Sequence, residues 1–139
     1  MRARELMSPD PLTVRADSSL EEALERMLRF DIRSLPVVEG GRLVGIITDR
    51  DLKMILGLGA RDVDEELLSE EDLAIAVREH MTEEVETIFA DSPVSVACRK
   101  LAAFRIGALP VIEPDGELVG ILSVTDCLLA AAPLFEEQE

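Results

Sequence analysis

Tryptophan and tyrosine are absent from the 139 residues, and all four aromatics are phenylalanine. The core must therefore be aliphatic, and the stacking platforms used by single-stranded nucleic-acid binders are missing. One histidine (His80) and two cysteines (Cys98, Cys127) are too few for a disulfide framework or a zinc site. Positive charge is scarce: 14 Lys and Arg stand against 29 Asp and Glu, a formal net charge of −15. Such a chain repels phosphate backbones and anionic surfaces, which disfavours nucleic acid and membrane as partners. No stretch approaches the roughly 20 apolar residues of a membrane span. The longest, Leu128–Phe135, has eight. The opening MRARELMSPD carries positive charge without an apolar run behind it, so no secretory signal is expected and the cytoplasm is the expected compartment. What the chain has in quantity is aliphatic surface. At 47% hydrophobic it can fold as a domain that buries roughly two-thirds of its area.

It also has a repeat. A shift of 74 positions lays Met7 on Met81, Thr13 on Thr87, Asp17-Ser18 on Asp91-Ser92, Ala23 on Ala97, Phe30 on Phe104 and LPVV (35–38) on LPVI (109–112). One extra residue in the next turn makes the shift 75, and LVGI (43–46) then meets LVGI (118–121) and Asp51 meets Asp126. The repeat divides the chain into motif one (1–56), a connector with a short helix (57–80), motif two (81–133) and a tail (134–139) expected to fray.

Each copy reads alike. A short extended piece (PLTV, VETI) leads to Asp17-Ser18 or Asp91-Ser92, a helix N-cap signal, with Pro93 suited to a first turn. Apolar residues at Leu20, Ala23, Leu24, Met27 and Leu28, and at Val94, Ala97, Cys98, Leu101 and Ala102, predict a helix with one buried face. LPVV, a glycine-bearing turn and LVGII predict a hairpin of buried strands, and a second helix is expected to start near Asp51 or Asp126. In the connector, Ser69 and Asp72 predict a helix start. Cys98 and Cys127 fall on the aliphatic positions Leu24 and Leu52, which favours core packing over redox or metal chemistry. The acidic DVDEELLSEED lacks the spacing of a calcium loop. No nucleophile–histidine arrangement or glycine-rich phosphate loop is present, so an enzyme is not expected and neither a catalytic nor a metal site is assigned.

The segments MSPDPLTV and MTEEVETI, IRSLPVV and IGALPVI, and GIITDRD and GILSVTD resemble the CBS motif, the cystathionine-β-synthase-type module. The tandem pair resembles a Bateman module. The resemblance implies an α+β fold (α/β-like) of two β-α-β-β-α CBS repeats packed about a pseudo-twofold axis. It also implies a non-catalytic regulatory or sensor module that binds adenosine-containing ligands (AMP, ADP, ATP or S-adenosylmethionine) in clefts between the motifs and signals to a partner protein. Carried over residue by residue, Thr48 and Asp51, and Ser123 and Asp126, would meet ribose and phosphate. Thr13-Val14 and Thr87-Ile88 would clasp adenine, with Leu35, Pro36, Val37, Leu109, Pro110 and Val111 as further walls. The chemistry is consistent, because vicinal hydroxyls donate and a carboxylate accepts both without a proton of its own. The same two aspartates also read as plain helix caps.

The copies differ where phosphate would lie. Arg50 and Arg33 in copy one face Thr125 and Gly107 in copy two. A protein of charge −15 that holds phosphate needs local cations, although either arginine also reads as a solvated surface residue. The resemblance implies the assignment: on the family's pattern Arg50 would serve the Asp51 cleft and Arg33 the Asp126 cleft as phosphate ligands, with Thr125 the neutral counterpart. No obligatory cofactor is expected; Mg²⁺ is the other source of positive charge for a bound nucleotide. Two helical repeats in a short chain leave end faces uncovered. The resemblance implies a homodimer, with DCLLAAAPLF or Leu52–Leu58 as contact surface, each equally readable as intrachain core. The alternative function is a structural dimerisation or assembly module with empty or vestigial clefts.

Overall fold

The computed structural model describes residues 1–55 and 69–138. The elements run α1 (Ala3–Leu6), β1 (Ser8–Pro9), β2 (Val14–Arg15), α2 (Leu20–Phe30), β3 (Ser34–Glu39), β4 (Arg42–Thr48), α3 (Asp49–Ile55), α4 (Glu70–Leu73), β5 (Ile88–Phe89), α5 (Val94–Phe104), β6 (Ala108–Ile112), β7 (Leu118–Ser123) and α6 (Val124–Glu136). This is a mixed α+β architecture. The chain forms two compact units that do not coincide with the two sequence copies: Leu12–Val85 is one, and Met1–Pro11 with Glu86–Glu139 is the other. They are called here the first-repeat and second-repeat units.

In the first-repeat unit the sheet order is β2-β3-β4, with β2 parallel and β4 antiparallel to β3. The β3–β4 turn is Gly40-Gly41, both at positive φ (59° and 81°), the combination a tight hairpin turn needs. The second-repeat unit repeats the pattern as β5-β6-β7 and adds β1 antiparallel to the free edge of β7, Ser8 opposite Ile121. Thr82 does the same to β4, exchanging two backbone hydrogen bonds with Ile46 (2.8 and 2.9 Å). So in both units an extended piece that follows a methionine covers the edge of the hairpin's outer strand.

The amphipathic helices bury Leu20, Ala23, Leu24 and Met27 on α2, and Ala97 and Leu101 on α5. Leu28, expected on the buried face, is 52% exposed, and Ala102 is exposed too. Both sit at the flank of the stripe, one turn before a left-handed cap at Asp31 or Arg105 ends the helix (φ 50° and 54°). The caps at the other end are also displaced. Ser19, not Ser18, accepts from the Glu22 N–H, while Ser18 is buried; on α5 the N-cap residue is Pro93 itself, with no side-chain cap.

Ser69 caps α4 by accepting from the Asp72 N–H at 3.1 Å, as the sequence predicts. The run at 57–68, read as a solvated link, and the 56–58 part of the Leu52–Leu58 surface lie outside the described residues. The end of the chain differs from expectation. Pro133 removes one rung but does not stop α6, which continues to Glu136. The preceding Ala130–Ala132 are the strongest helix formers available. Among the described residues no helix is long and apolar enough to cross a membrane.

Candidate functional site

The T/S-x-x-D segments lie where the hairpin's last strand turns into the following helix, at β4–α3 and β7–α6. In both copies the aspartate is the third helical residue rather than the cap. Thr48 Oγ1 accepts from the Asp51 N–H (3.0 Å), and Asp51 Oδ2 accepts from the Thr48 N–H (2.9 Å). Ser123 and Asp126 repeat this at 3.1 and 2.9 Å. Each pair is a capping box, so each carboxylate is fixed through one oxygen by two reciprocal bonds. Among the described residues no donor reaches the other oxygen, Oδ1, of either aspartate. The box therefore orients each carboxylate, while the cap itself is supplied by Thr48 or Ser123.

Arg33 and Arg50, assigned in the sequence to different clefts, line one cavity of about 410 Å³ on the first-repeat unit, together with Asp49, Lys53 and Met54. Asp49 Oδ2 lies between cations, 3.6 Å from Arg33 and 3.9 Å from Lys53. Arg33 is 86% exposed, so this ion pair is loose and the guanidinium can turn to another anion. In the second-repeat unit the matching positions are Gly107, Val124, Thr125, Leu128 and Leu129, with no charge among them. Thr125 is exposed on the first turn of α6.

The expected adenine walls fare differently. Val14, Leu35, Val37, Ile88, Leu109 and Val111 are buried in the cores of their own units, and Pro36 and Pro110 are buried as well. Their side chains hold the sheets. Thr13 and Thr87 are half-buried. The carbonyl of each accepts from a cation one helix away: Arg26 Nη1 for Thr13, and Lys100 Nζ for Thr87 at 2.8 Å.

Sequence reading overlooked Asp49, Lys53, Arg26 and Lys100. It also overlooked Arg78 and Arg4, which pair with Glu39 and Glu113 at 3.0 and 2.6 Å. The hydrogen bond that Arg4 donates to Glu113 pushes the Arg4 pKa further up. The signal was in the chain, because the shift of 74 also matches Arg4 to Arg78, Glu39 to Glu113 and Arg26 to Lys100.

Cys127 packs half-buried against the core of the second-repeat unit. Burial, then the neighbouring Cys98 thiol, pushes its pKa up to about 11. A thiol held protonated in this way is a weak nucleophile. Among the described residues no group of three or more His, Cys, Asp and Glu is placed to hold a metal.

The chain is similar to known proteins over most of its length. The CBS domain profile matches residues 3–57 and 77–133. A CBS domain-containing protein of Dictyostelium discoideum is 35% identical over 133 residues, covering 90% of this chain and 87% of that protein. The inosine-5′-monophosphate dehydrogenase of Methanocaldococcus jannaschii is 32% identical over 128 residues, 91% of this chain but only 23% of the enzyme. Among solved structures, CBSX2 in complex with AMP matches with TM-score 0.78 at 25% identity, covering 96% of this chain and 97% of that one. The CBS domain pair of protein MJ0100, in complex with 5′-methylthioadenosine and S-adenosyl-L-methionine, matches with TM-score 0.72 at 26% identity, covering 100% and 98%. With two matched segments that together take in most of its length and both capping-box junctions, this chain belongs to the CBS-domain family.

Proposed function

We propose that the chain is a non-catalytic regulatory module that binds an adenosine-containing ligand, AMP, ADP, ATP or S-adenosylmethionine, and passes the bound state to a partner protein. The observation that carries this reading is the duplicated capping box, which presents one free carboxylate oxygen from Asp51 and one from Asp126 at equivalent places. Ribose offers two adjacent hydroxyl donors to such an acceptor. Thr48 and Ser123 stand next to them, and the extended segments Thr13-Val14 and Thr87-Ile88 clasp the base. Arg33 and Arg50, with Lys53 beside them, supply the cations that phosphate requires, and Mg²⁺ accompanies a polyphosphate. The similarity to pairs solved with AMP and with S-adenosyl-L-methionine supports the ligand class. The chain acts as a homodimer.

Calorimetry with the four ligands tests this. At least one is expected to bind in the micromolar range, and Asp51→Ala and Asp126→Ala each weaken binding by about 2–4 kcal/mol through lost charge-assisted bonds. Absence of heat and of thermal shift with all four at millimolar concentration would sink the reading in favour of an assembly module.

A further inference from the structure

The chain has two cysteines, and both fall on one contacting pair of positions. Cys98 lies on α5 and Cys127 in the first turn of α6, helices that pack on each other in the second-repeat unit. The two thiols are hydrogen-bonding neighbours. The first-repeat unit shows that this adjacency is built into the fold. Leu24 and Leu52 hold the matching positions there, both buried in one core and both lining one cavity of about 200 Å³ against α2 and α3.

The two pairs differ in what can reach them. The leucines are sealed, at 2% and 0% exposure, whereas both thiols are half-buried. Packing alone would favour leucine at both places, since each leucine-to-cysteine change removes buried apolar volume. The second-repeat unit keeps the contact, gives up some packing, and opens a pair of sulfur atoms to small solutes.

We propose that Cys98 and Cys127 are a modification site for low-molecular-weight disulfides, closing reversibly into an intrachain disulfide that ties α5 to α6. With oxidised glutathione as the oxidant, the steps balance. Cys127 is held protonated, so the Cys98 thiolate attacks one glutathione sulfur and expels the other as glutathione thiolate. Cys127 then gives its proton to water, and its sulfur attacks the Cys98 sulfur and expels the second glutathione. Two protein thiols lose two electrons, and one glutathione disulfide becomes two thiols. The second attack is intramolecular, which offsets the weak nucleophile. Thiols already in contact have only a short approach to make to the roughly 2 Å of a sulfur–sulfur bond. The closed loop contains β6 and β7, so the bond restricts the unfolded chain and raises thermal stability. It also clamps the first turn of α6, where Cys127 directly follows the capping-box residue Asp126.

The test is intact mass spectrometry of the full native chain after incubation with oxidised glutathione. Wild type is expected to lose the mass of two hydrogens, to take up no alkylating reagent when subsequently denatured, and to return to its starting mass with dithiothreitol. Its thermal midpoint should rise by on the order of 5–10 °C on oxidation and fall back on reduction. Cys127→Ser, which keeps Cys98, is expected to stop at a single glutathione adduct. The proposal is overturned if native wild type also stops at an adduct or keeps both thiols open to alkylation. It is equally overturned if the cysteines pair only between chains, seen as a doubled mass on a non-reducing gel.

Discussion

At single positions the two copies obey the same rules with different residues, and the differences are informative. Leu24 and Leu52, both in one core, are matched in the second copy by Cys98 and Cys127, of which Cys127 packs against the other core. A thiol tolerates half-burial but titrates. In the folded chain the Cys127 proton is held up to about 11, whereas the unfolded thiol gives it up near 9.0. Between these values the unfolded state binds fewer protons, so stability falls as pH rises through that window and is fully present below it. Thermal midpoints of wild type and Cys127→Ala, followed from neutral pH to about 11, should converge or cross in that range. Parallel curves would mean that the thiol is solvated. Asp31 and Arg105 illustrate a shared rule: both end a helix in the left-handed region, where glycine is usual, so the copies keep the backbone conformation even without the residue that favours it.

At the scale of elements, each arm is tied to its hairpin by a methionine over a glycine. A Cβ on Gly45 would stand 2.7 Å from Met81 Sδ and 2.8 Å from the Thr82 carbonyl oxygen. On Gly120 it would stand 2.9 Å from the Ser8 carbonyl oxygen, with the Met7 side chain closer still. The thioether can shift, but the backbone oxygens are held by the bridge to β4 and the pairing to β7. Gly45→Ala is therefore expected to cost about 1–3 kcal/mol in urea unfolding by forcing the arm off the strand. Gly107→Ala, which meets nothing within 4 Å, should be close to neutral and serves as control. The hairpins themselves were legible in the sequence from LPVV, LVGI and the glycine turns. The caps of α2 and α5 were not, because Asp17-Ser18-Ser19 offers several capping side chains in a row and only the packing of α2 selects Ser19.

For the whole molecule, the net charge of −15 makes any anion site an exception that must be built locally. The cavity formed by Arg33, Arg50 and Lys53 is such an exception, and its counterpart in the other unit is neutral. Arg50→Ala is expected to weaken AMP by about 1–3 kcal/mol while leaving adenosine nearly unchanged. The difference should grow at low salt, where repulsion from the remaining acidic surface is unscreened. Titrations of both ligands at two ionic strengths decide this: equal losses for AMP and adenosine would make Arg50 a fold residue instead of a phosphate ligand.

The sequence by itself determined the duplication, the order of elements in each copy and the two T/S-x-x-D junctions, because these depend on local periodicity, turn chemistry and caps that any stretch of chain carries with it. Tertiary structure decided the rest. It joined Met1–Pro11 to the second copy's sheet instead of its own, since the edges of β4 and β7 accept whichever strand reaches them and nothing in the arm's own residues names the partner. It gathered Arg33 and Arg50 around Asp49, a side chain that local reading had no reason to notice. It also turned Leu28 and, on α6, Leu128, Leu129 and Phe135 to the surface, because a helical apolar pattern tells which residues share a face but not what stands opposite that face.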